Sequence, residues 1–165
     1  MQSQKGMWRR VDELGRVVIP KEIRVWLNVK PGDVIEFCVN QENNVTLRKY
    51  HRLDDISDIA TICTSASCSI TDGIILITAS DHVVASTNRA FTNLAVDTST
   101  GELKFMNLPT EVNTLLKDKT AYNYPIISNG DQHGNVWLYT AQTHKDTNIT
   151  IATLLCNVLS KYIER

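Results

Sequence analysis

The chain has 165 residues, of which 42% are hydrophobic and 21% charged, and its formal net charge is −1. This composition is that of a globular protein with one medium domain or two small ones. No run of about 18 apolar residues exists, so no transmembrane helix is expected. The first ten residues, MQSQKGMWRR, lack the apolar core of a signal peptide. We therefore expect a cytoplasmic protein without a membrane partner.

The sequence carries no metal, redox or catalytic motif. Glycine-rich nucleotide loops, nucleophile elbows and H-E-x-x-H are absent, so neither a cofactor nor an enzyme is predicted. No two cysteines have C-x2-C spacing, and we interpret all four as small buried residues in a reducing compartment. They are Cys38, Cys63, Cys68 and Cys156.

The four histidines are scattered, and solvent exposure in predicted hairpin turns accounts for His82 and His133. The acidic cluster Asp54, Asp55 and Asp58 fits the start of a helix, where Asp54 or Asp55 can serve as cap. Both patterns favour ordinary structural roles over catalytic ones.

Charge is divided unevenly along the chain. Residues 1–52 hold ten Lys and Arg against six Asp and Glu, a formal charge of +4. Residues 53–165 hold seven Lys and Arg against twelve Asp and Glu, a formal charge of −5. This asymmetry predicts two modules with different partners, divided between residues 52 and 53.

The first module is predicted to contain short strands and one small helix. Residues 12–15 have the composition of a turn, which includes Gly15. Pro20 fits the first position of the helix that follows, and Asn28 can end that helix. The helix spans 21–27, and the predicted strands are 6–11, 16–19, 34–40 and 45–50. A unit this small rarely buries enough apolar surface to be stable alone. Since metal and disulfides are not expected, we predict an obligate dimer.

The second module has an α+β element order with a mainly antiparallel sheet. Helices are predicted at 53–67, at 88–96 and from Asp146 to 163, the last with a broad apolar stripe. Two hairpins are predicted, one from 73–80 and 83–87 and one from 121–128 and 136–142. Residues 97–119 are polar and carry no clear pattern.

Five basic residues are concentrated between positions 9 and 24. Arg9 and Arg16 flank the predicted turn, and Lys21 and Arg24 are three apart on one helix face. Lys and Arg attract DNA phosphates, and Arg can also pair with a guanine edge. A dimer would present this charge twice. The alternative is that the charges merely coat a small domain.

The segments RRVDELGRVVIPKEIR, LNVKPGDVIEF and VTLRKY closely resemble the N-terminal domain of the AbrB family of bacterial transition-state regulators, over about residues 6–50. The resemblance implies a swapped-hairpin dimer, with strands of two chains interleaved into one barrel. It implies that Arg9, Arg16 and Arg24 contact DNA, with Arg10 and Lys21 as phosphate contacts. Val25 departs from the basic residue of many members, and the adjacent Trp26 is expected to pack in the dimer core.

The downstream module is similar to the GAF-like domain that follows the barrel in some family members. It implies a sensor or oligomerisation domain, with a small-molecule pocket lined by the two hairpins and 97–119, and a tetramer formed through the helices 53–67 and 146–163. The resemblance thus predicts a DNA-binding transcriptional regulator of sporulation. The alternatives are a MazE-type antitoxin, which shares the barrel, and a ligand-binding protein with weakened DNA binding.

Overall fold

The structure is a computed structural model that describes residues 6–27, 29–98 and 100–164. The chain divides into two compact units, and the division falls between Tyr50 and His51. The boundary predicted from charge lies two residues further along. No described helix is long and apolar enough to cross a bilayer.

The N-terminal unit contains one short helix and one hairpin. Helix α1 spans Lys21–Trp26, and strands β1 (Ile35–Val39) and β2 (Val45–Lys49) pair in antiparallel fashion, as predicted. Pro20 is the N-cap of α1 rather than its first residue, because its ψ of 149° is not helical. Asn28, the predicted end of the helix, lies outside the described residues.

Residues 6–11 and 16–19 are not strands in the single chain, which corrects the prediction for both. Among the described residues, the backbone hydrogen bonds in this region are those of the intervening turn, Asp12 N–H to Arg16 O and Gly15 N–H to Asp12 O. A strand requires a neighbour to satisfy its N–H and C=O groups. Among the described residues of this chain, these two segments have no such neighbour.

The β1–β2 hairpin is amphipathic, and its apolar face is uncovered. The register pairs Phe37 with Leu47 and Val39 with Val45 on one face, and Glu36 with Arg48 on the other. Phe37 and Val39 are 65% and 66% exposed. Over 6–27 and 29–50, no residue is buried. This unit therefore has no core of its own.

The C-terminal unit is a sheet with helices. Its helices are α2 (Arg52–Asp55), α3 (Ser57–Ser67), α4 (Thr110–Thr114) and α5 (Lys145–Ile163). Its strands are β3 (Ile74–Thr78), β4 (Val83–Ser86), β5 (Val96–Asp97), β6 (Lys104–Phe105), β7 (Thr120–Ser128) and β8 (Asp131–Thr140). Strands β5 and β6 form a separate two-stranded pair, and the main sheet has the order β4-β3-β8-β7 with every pair antiparallel. This confirms the predicted α+β class with an antiparallel sheet and agrees with the GAF-like prediction.

Both faces of the main sheet are covered, which explains why β3 is a continuous apolar run. Alternate residues of a strand point to opposite faces. Ile75 and Ile77 join the core beneath α2, α3 and α5, whereas Ile74 and Leu76 join a second core with Phe91. The second core lies under the segment that precedes β7. The polar segment 97–119, unassigned from sequence, supplies part of that cover through Val112 and its neighbours.

Several predicted details of this unit are wrong. The helix predicted at 53–67 is two helices that break at Ile56, and His51, not an aspartate, is the N-cap of α2. The helix predicted at 88–96 is one turn of 3-10 helix, Arg89–Phe91. The Asn88 side chain accepts from Ala90 N–H and caps its start, and the extended backbone of Thr92, with a ψ of 136°, ends it. The strand predicted at 136–142 begins earlier, at Asp131, because the β7–β8 turn is only two residues, Asn129 and Gly130, both with positive φ.

The cysteine prediction holds in part. All four are free thiols, with Cys156 buried, Cys38 and Cys63 intermediate, and Cys68 exposed. Cys68 is therefore wrongly predicted as buried. It follows the last residue of α3, and its Sγ contacts the carbonyl oxygen of Thr87 at 3.1 Å.

Candidate nucleic-acid interface

The tight turn in the basic segment is built around the Asp12 carboxylate. Its Oδ1 accepts from Leu14 N–H at 3.0 Å and from Arg16 N–H at 2.8 Å. Gly15 closes the turn with a φ of 77°, a left-handed value that glycine adopts without strain. These bonds fix the loop locally, even though neither flank is paired as a strand.

The same carboxylate orients the guanidinium of Arg16. Arg16 Nε donates to Asp12 Oδ2 at 2.8 Å, and both side chains remain largely open to solvent. The backbone N–H and the guanidinium of Arg16 lower the pKa of Asp12 below its ordinary value. The carboxyl is thus ionised at neutral pH, and Arg16 is presented in a defined direction with donors to spare.

The other four predicted contacts, Arg9, Arg10, Lys21 and Arg24, are exposed. Arg9 and Arg10 precede the turn, and Lys21 and Arg24 lie on α1. In the described part of the chain no carboxylate lies within ion-pair distance of any of them; Arg9 donates to the Trp8 carbonyl at 2.8 Å. By contrast, Arg48 and Lys49 in the same unit are paired with Glu36 and Asp33. Four of the five cations of the basic segment are therefore without an ion-pair partner among the described residues.

Val25 and Trp26, which follow Arg24, are both 67% exposed. In the part of this unit that the structure describes, no apolar surface buries the indole of Trp26. Its packing in a dimer core stays a prediction. The position of Val25 beside Arg24 leaves α1 with two cations, Lys21 and Arg24, rather than three.

A groove of about 410 Å³ opens on the C-terminal unit beside the start of α5. Asp72 and Asn148 line it with His144, whose Nδ1 lies 2.7 Å from Asp72 Oδ2. Asn148 is buried, and its amide donates to Asp72 and to Thr140. None of the residues that line this groove belongs to the predicted hairpins or to 97–119, so it differs from the pocket expected there.

The structure brings together one group that spacing along the chain did not indicate. His82 was predicted to be solvated, but it is half-buried and contacts Asp81 and Asp54, while His51 is buried beside Asp81. The hydrogen bond to Asp81 raises the pKa of His82. His51 and His82 together hold the pKa of Asp81 well below its usual range. His133 is intermediate in exposure and lies within β8 rather than in a turn.

Comparison with known proteins identifies the family to which this chain belongs. Residues 9–55 match the family model described as antidote-toxin recognition MazE, bacterial antitoxin. The chain is 31% identical to stage V sporulation protein T of Bacillus subtilis (strain 168) over 148 residues, which are 82% of this chain and 83% of the relative. Over 45 residues it is 49% identical to transition state regulatory protein AbrB and 47% identical to the putative transition state regulator Abh of the same organism. These two matches cover 27% of this chain and 46% and 48% of the relatives. The chain therefore belongs to the AbrB family, and it is similar to stage V sporulation protein T over most of its length.

Proposed function

We propose that this protein is a DNA-binding transcriptional regulator of sporulation genes, acting in the cytoplasm. The observation that carries the proposal is the set of exposed cations that have no carboxylate partner, beside an oriented Arg16, in the unit that matches the family model. Counterion release would supply most of the affinity, because such cations can replace the ions condensed on DNA phosphates. Arg16, held by Asp12, is the candidate for reading a base edge or groove shape.

A dimer is the form that binds. Residues 6–27 and 29–50 include no buried side chain, and the apolar hairpin face of Phe37, Val39 and Val45 is open. Such a face is stable only when covered. A second copy supplies an identical face, and its segments 6–11 and 16–19 can pair as the strands that one chain cannot form. The resulting barrel displays two sets of basic residues.

The C-terminal region, 53–165, acts as a sensor or an assembly module in this proposal. Two cores give it independent stability. Its outer helices expose Ile62 on α3 and Leu154 and Tyr162 on α5, which supports packing of dimer against dimer into a tetramer. The groove beside α5 is open to a small polar ligand.

An antitoxin is the second candidate, because the family model matched by residues 9–55 is described as one. Antitoxins of this type carry a short disordered tail that wraps the toxin. This chain instead continues into a unit with two hydrophobic cores. A stable C-terminal fragment after limited proteolysis would count against the antitoxin hypothesis.

The test is binding of the full chain to a promoter-length duplex at several salt concentrations. Wild-type affinity should fall steeply with salt, and Arg16→Ala and Arg24→Ala should each weaken binding by roughly 1–3 kcal/mol or flatten the salt slope by about one unit. Arg89→Ala is the matched control, since Arg89 is exposed on the other unit. Binding that is absent, or that falls equally with Arg89→Ala, contradicts the proposal. Absent binding would instead favour a ligand-binding protein that has lost DNA recognition.

A further inference from the structure

The strongest unassigned feature is a group of metal-ligating side chains at the start of the C-terminal unit. One ligand atom each from His51, Asp81 and His82 lies within 4.8 Å of the other two. The residues come from two places, the N-cap of α2 and the turn between β3 and β4. Imidazole and carboxylate together are the donors preferred by zinc and similar divalent transition metals.

The burial of His51 supports a ligand role. Its side chain is 7% exposed, and its Nε2 lies 3.2 Å from Asp81 Oδ1 without making a well-aligned hydrogen bond. A buried polar nitrogen normally has a hydrogen-bond partner, and its absence calls for an explanation. Here the nitrogen lies beside the carboxylate that His82 also contacts, but it is not aligned with it as a hydrogen-bond donor. A cation between the three side chains would satisfy it.

His82 is held as a metal-ligating histidine usually is. Its Nε2 lies 3.0 Å from Asp54 Oδ1, and its Nδ1 lies 2.7 Å from Asp81 Oδ1. With an ion bound, the proton that now joins Nδ1 to Asp81 would be displaced, and a proton kept on Nε2 and donated to Asp54 would leave the Nδ1 lone pair for the ion. This carboxylate–histidine arrangement fixes the ring and its tautomer in known zinc sites.

The turn that carries Asp81 and His82 is fixed by backbone bonds. Val96 N–H donates to Asp81 O at 2.8 Å, and Ala79 N–H donates to His82 O at 3.0 Å. The two ligand positions are thus set by the strands rather than by a mobile loop. Around a tetrahedral ion with bonds of about 2.0–2.2 Å, ligand atoms lie roughly 3.3–3.5 Å apart. The present separations are 2.7 Å from His82 Nδ1 to Asp81 and 3.2 Å from His51 Nε2 to Asp81, and all three ligand atoms lie within 4.8 Å of one another, so binding requires some side-chain adjustment.

We propose that His51 Nε2, His82 Nδ1 and a carboxylate oxygen of Asp81 bind one zinc-class divalent ion, with Asp54 positioning His82. Solvent or the second Asp81 oxygen completes the coordination, since the Asp81 side chain is 48% exposed. The ion would tie the first residue of the C-terminal unit to the β3–β4 turn. This site is separate from the basic segment and does not depend on DNA binding.

The test measures Zn²⁺ binding by the full chain, stripped with a chelator and kept reduced, by titration calorimetry. One ion per chain is expected. His82→Gln and Asp81→Asn should each weaken binding by more than ~100-fold, and Asp54→Asn by roughly 10–100-fold, the range for residues that orient a ligand. His144→Gln is the matched control, because His144 also pairs with an aspartate but lacks a third ligand. It should bind Zn²⁺ as the wild type does.

Cobalt absorption distinguishes this site from the cysteines. Co²⁺ at the proposed site should give ligand-field bands without a thiolate charge-transfer band. A thiolate band, a stoichiometry well below one, or affinity that survives both His82→Gln and Asp81→Asn would overturn the proposal. Equal loss in His144→Gln would do the same. If a ligand variant does not fold, Asp54→Asn decides, since Asp54 acts only through His82.

Discussion

The two units of this chain use their apolar residues in opposite ways. In the C-terminal unit, helices and an irregular cover bury both faces of one sheet, so that β3 is buried along its whole length. In the N-terminal unit, the hairpin is just as clearly amphipathic, yet none of its described residues is buried. The difference teaches that an amphipathic pattern specifies a face, while the partner of that face can lie outside the chain. One unit buries its apolar residues within the single chain, and in our proposal the other buries them only against a second copy.

The largest expected effect is that of Phe37→Ala. Phe37 is 65% exposed in the single chain, where truncation would change the free energy of unfolding by less than about 0.5 kcal/mol. In a dimer that buries it, the loss should be roughly 3–5 kcal/mol. We expect the larger value, together with a shift toward monomer in sedimentation analysis. Ile127→Ala, at a 49% exposed site of β7, is the control. A change no larger than the control's would refute the dimer interface at this face.

Leu138→Ala should destabilise the C-terminal unit by about 2–5 kcal/mol, because Leu138 is fully buried between the sheet and the helices. The loss should not depend on protein concentration, which separates it from the Phe37 effect. Denaturant unfolding at two concentrations measures both properties. Met106→Ala, where the side chain is 63% exposed, should stay within about 0.5 kcal/mol of the wild type. Equal effects of the two substitutions would contradict the described core.

Gly134→Ala should destabilise the same unit by roughly 1–3 kcal/mol. A Cβ at position 134 would lie 2.2 Å from the Thr78 carbonyl oxygen and 2.3 Å from a methyl carbon of Leu53. The first is a backbone atom, so β3 or α2 must move. Gly6→Ala, with open space and no positive φ, is the control. Thermal melts suffice, and equal midpoints for the two variants would show that β8 accepts a side chain there.

Much of the fold was predictable because it depends on local patterns. The buried strands and α5 each carry their signal within one segment. The segments 6–11 and 16–19 have strand-like composition but no pairing neighbour among the described residues, and composition alone does not supply one. The segment 88–96 looked helical, but the extended backbone of Thr92 and the positive φ of Asn93 end the helix after one turn.

The candidate sites divide in the same way. The basic residues lie within sixteen positions of one another, so their concentration is visible in the sequence. His51 and His82 are separated by 31 positions, and neither has a motif around it. Folding alone brings them to Asp81. The one available signal was that Asp81 and His82 are adjacent, which is too common to predict a site.

The smallest expected effect concerns Asp12 and Arg16. The pKa of Asp12 lies below its ordinary value because the backbone N–H of Arg16, and then its guanidinium, bond to the ionised carboxyl. A lowered pKa means that these bonds stabilise the turn above the ordinary value and are lost as pH falls through the lowered one. Arg16→Ala should raise the pKa only part of the way, since residue 16 keeps its N–H. Carboxyl ¹³C titration by NMR measures this, and Arg24→Ala should leave Asp12 unchanged. An unaltered pKa of Asp12 in Arg16→Ala would mean that the ion pair does not form in solution and that Asp12 does not orient Arg16.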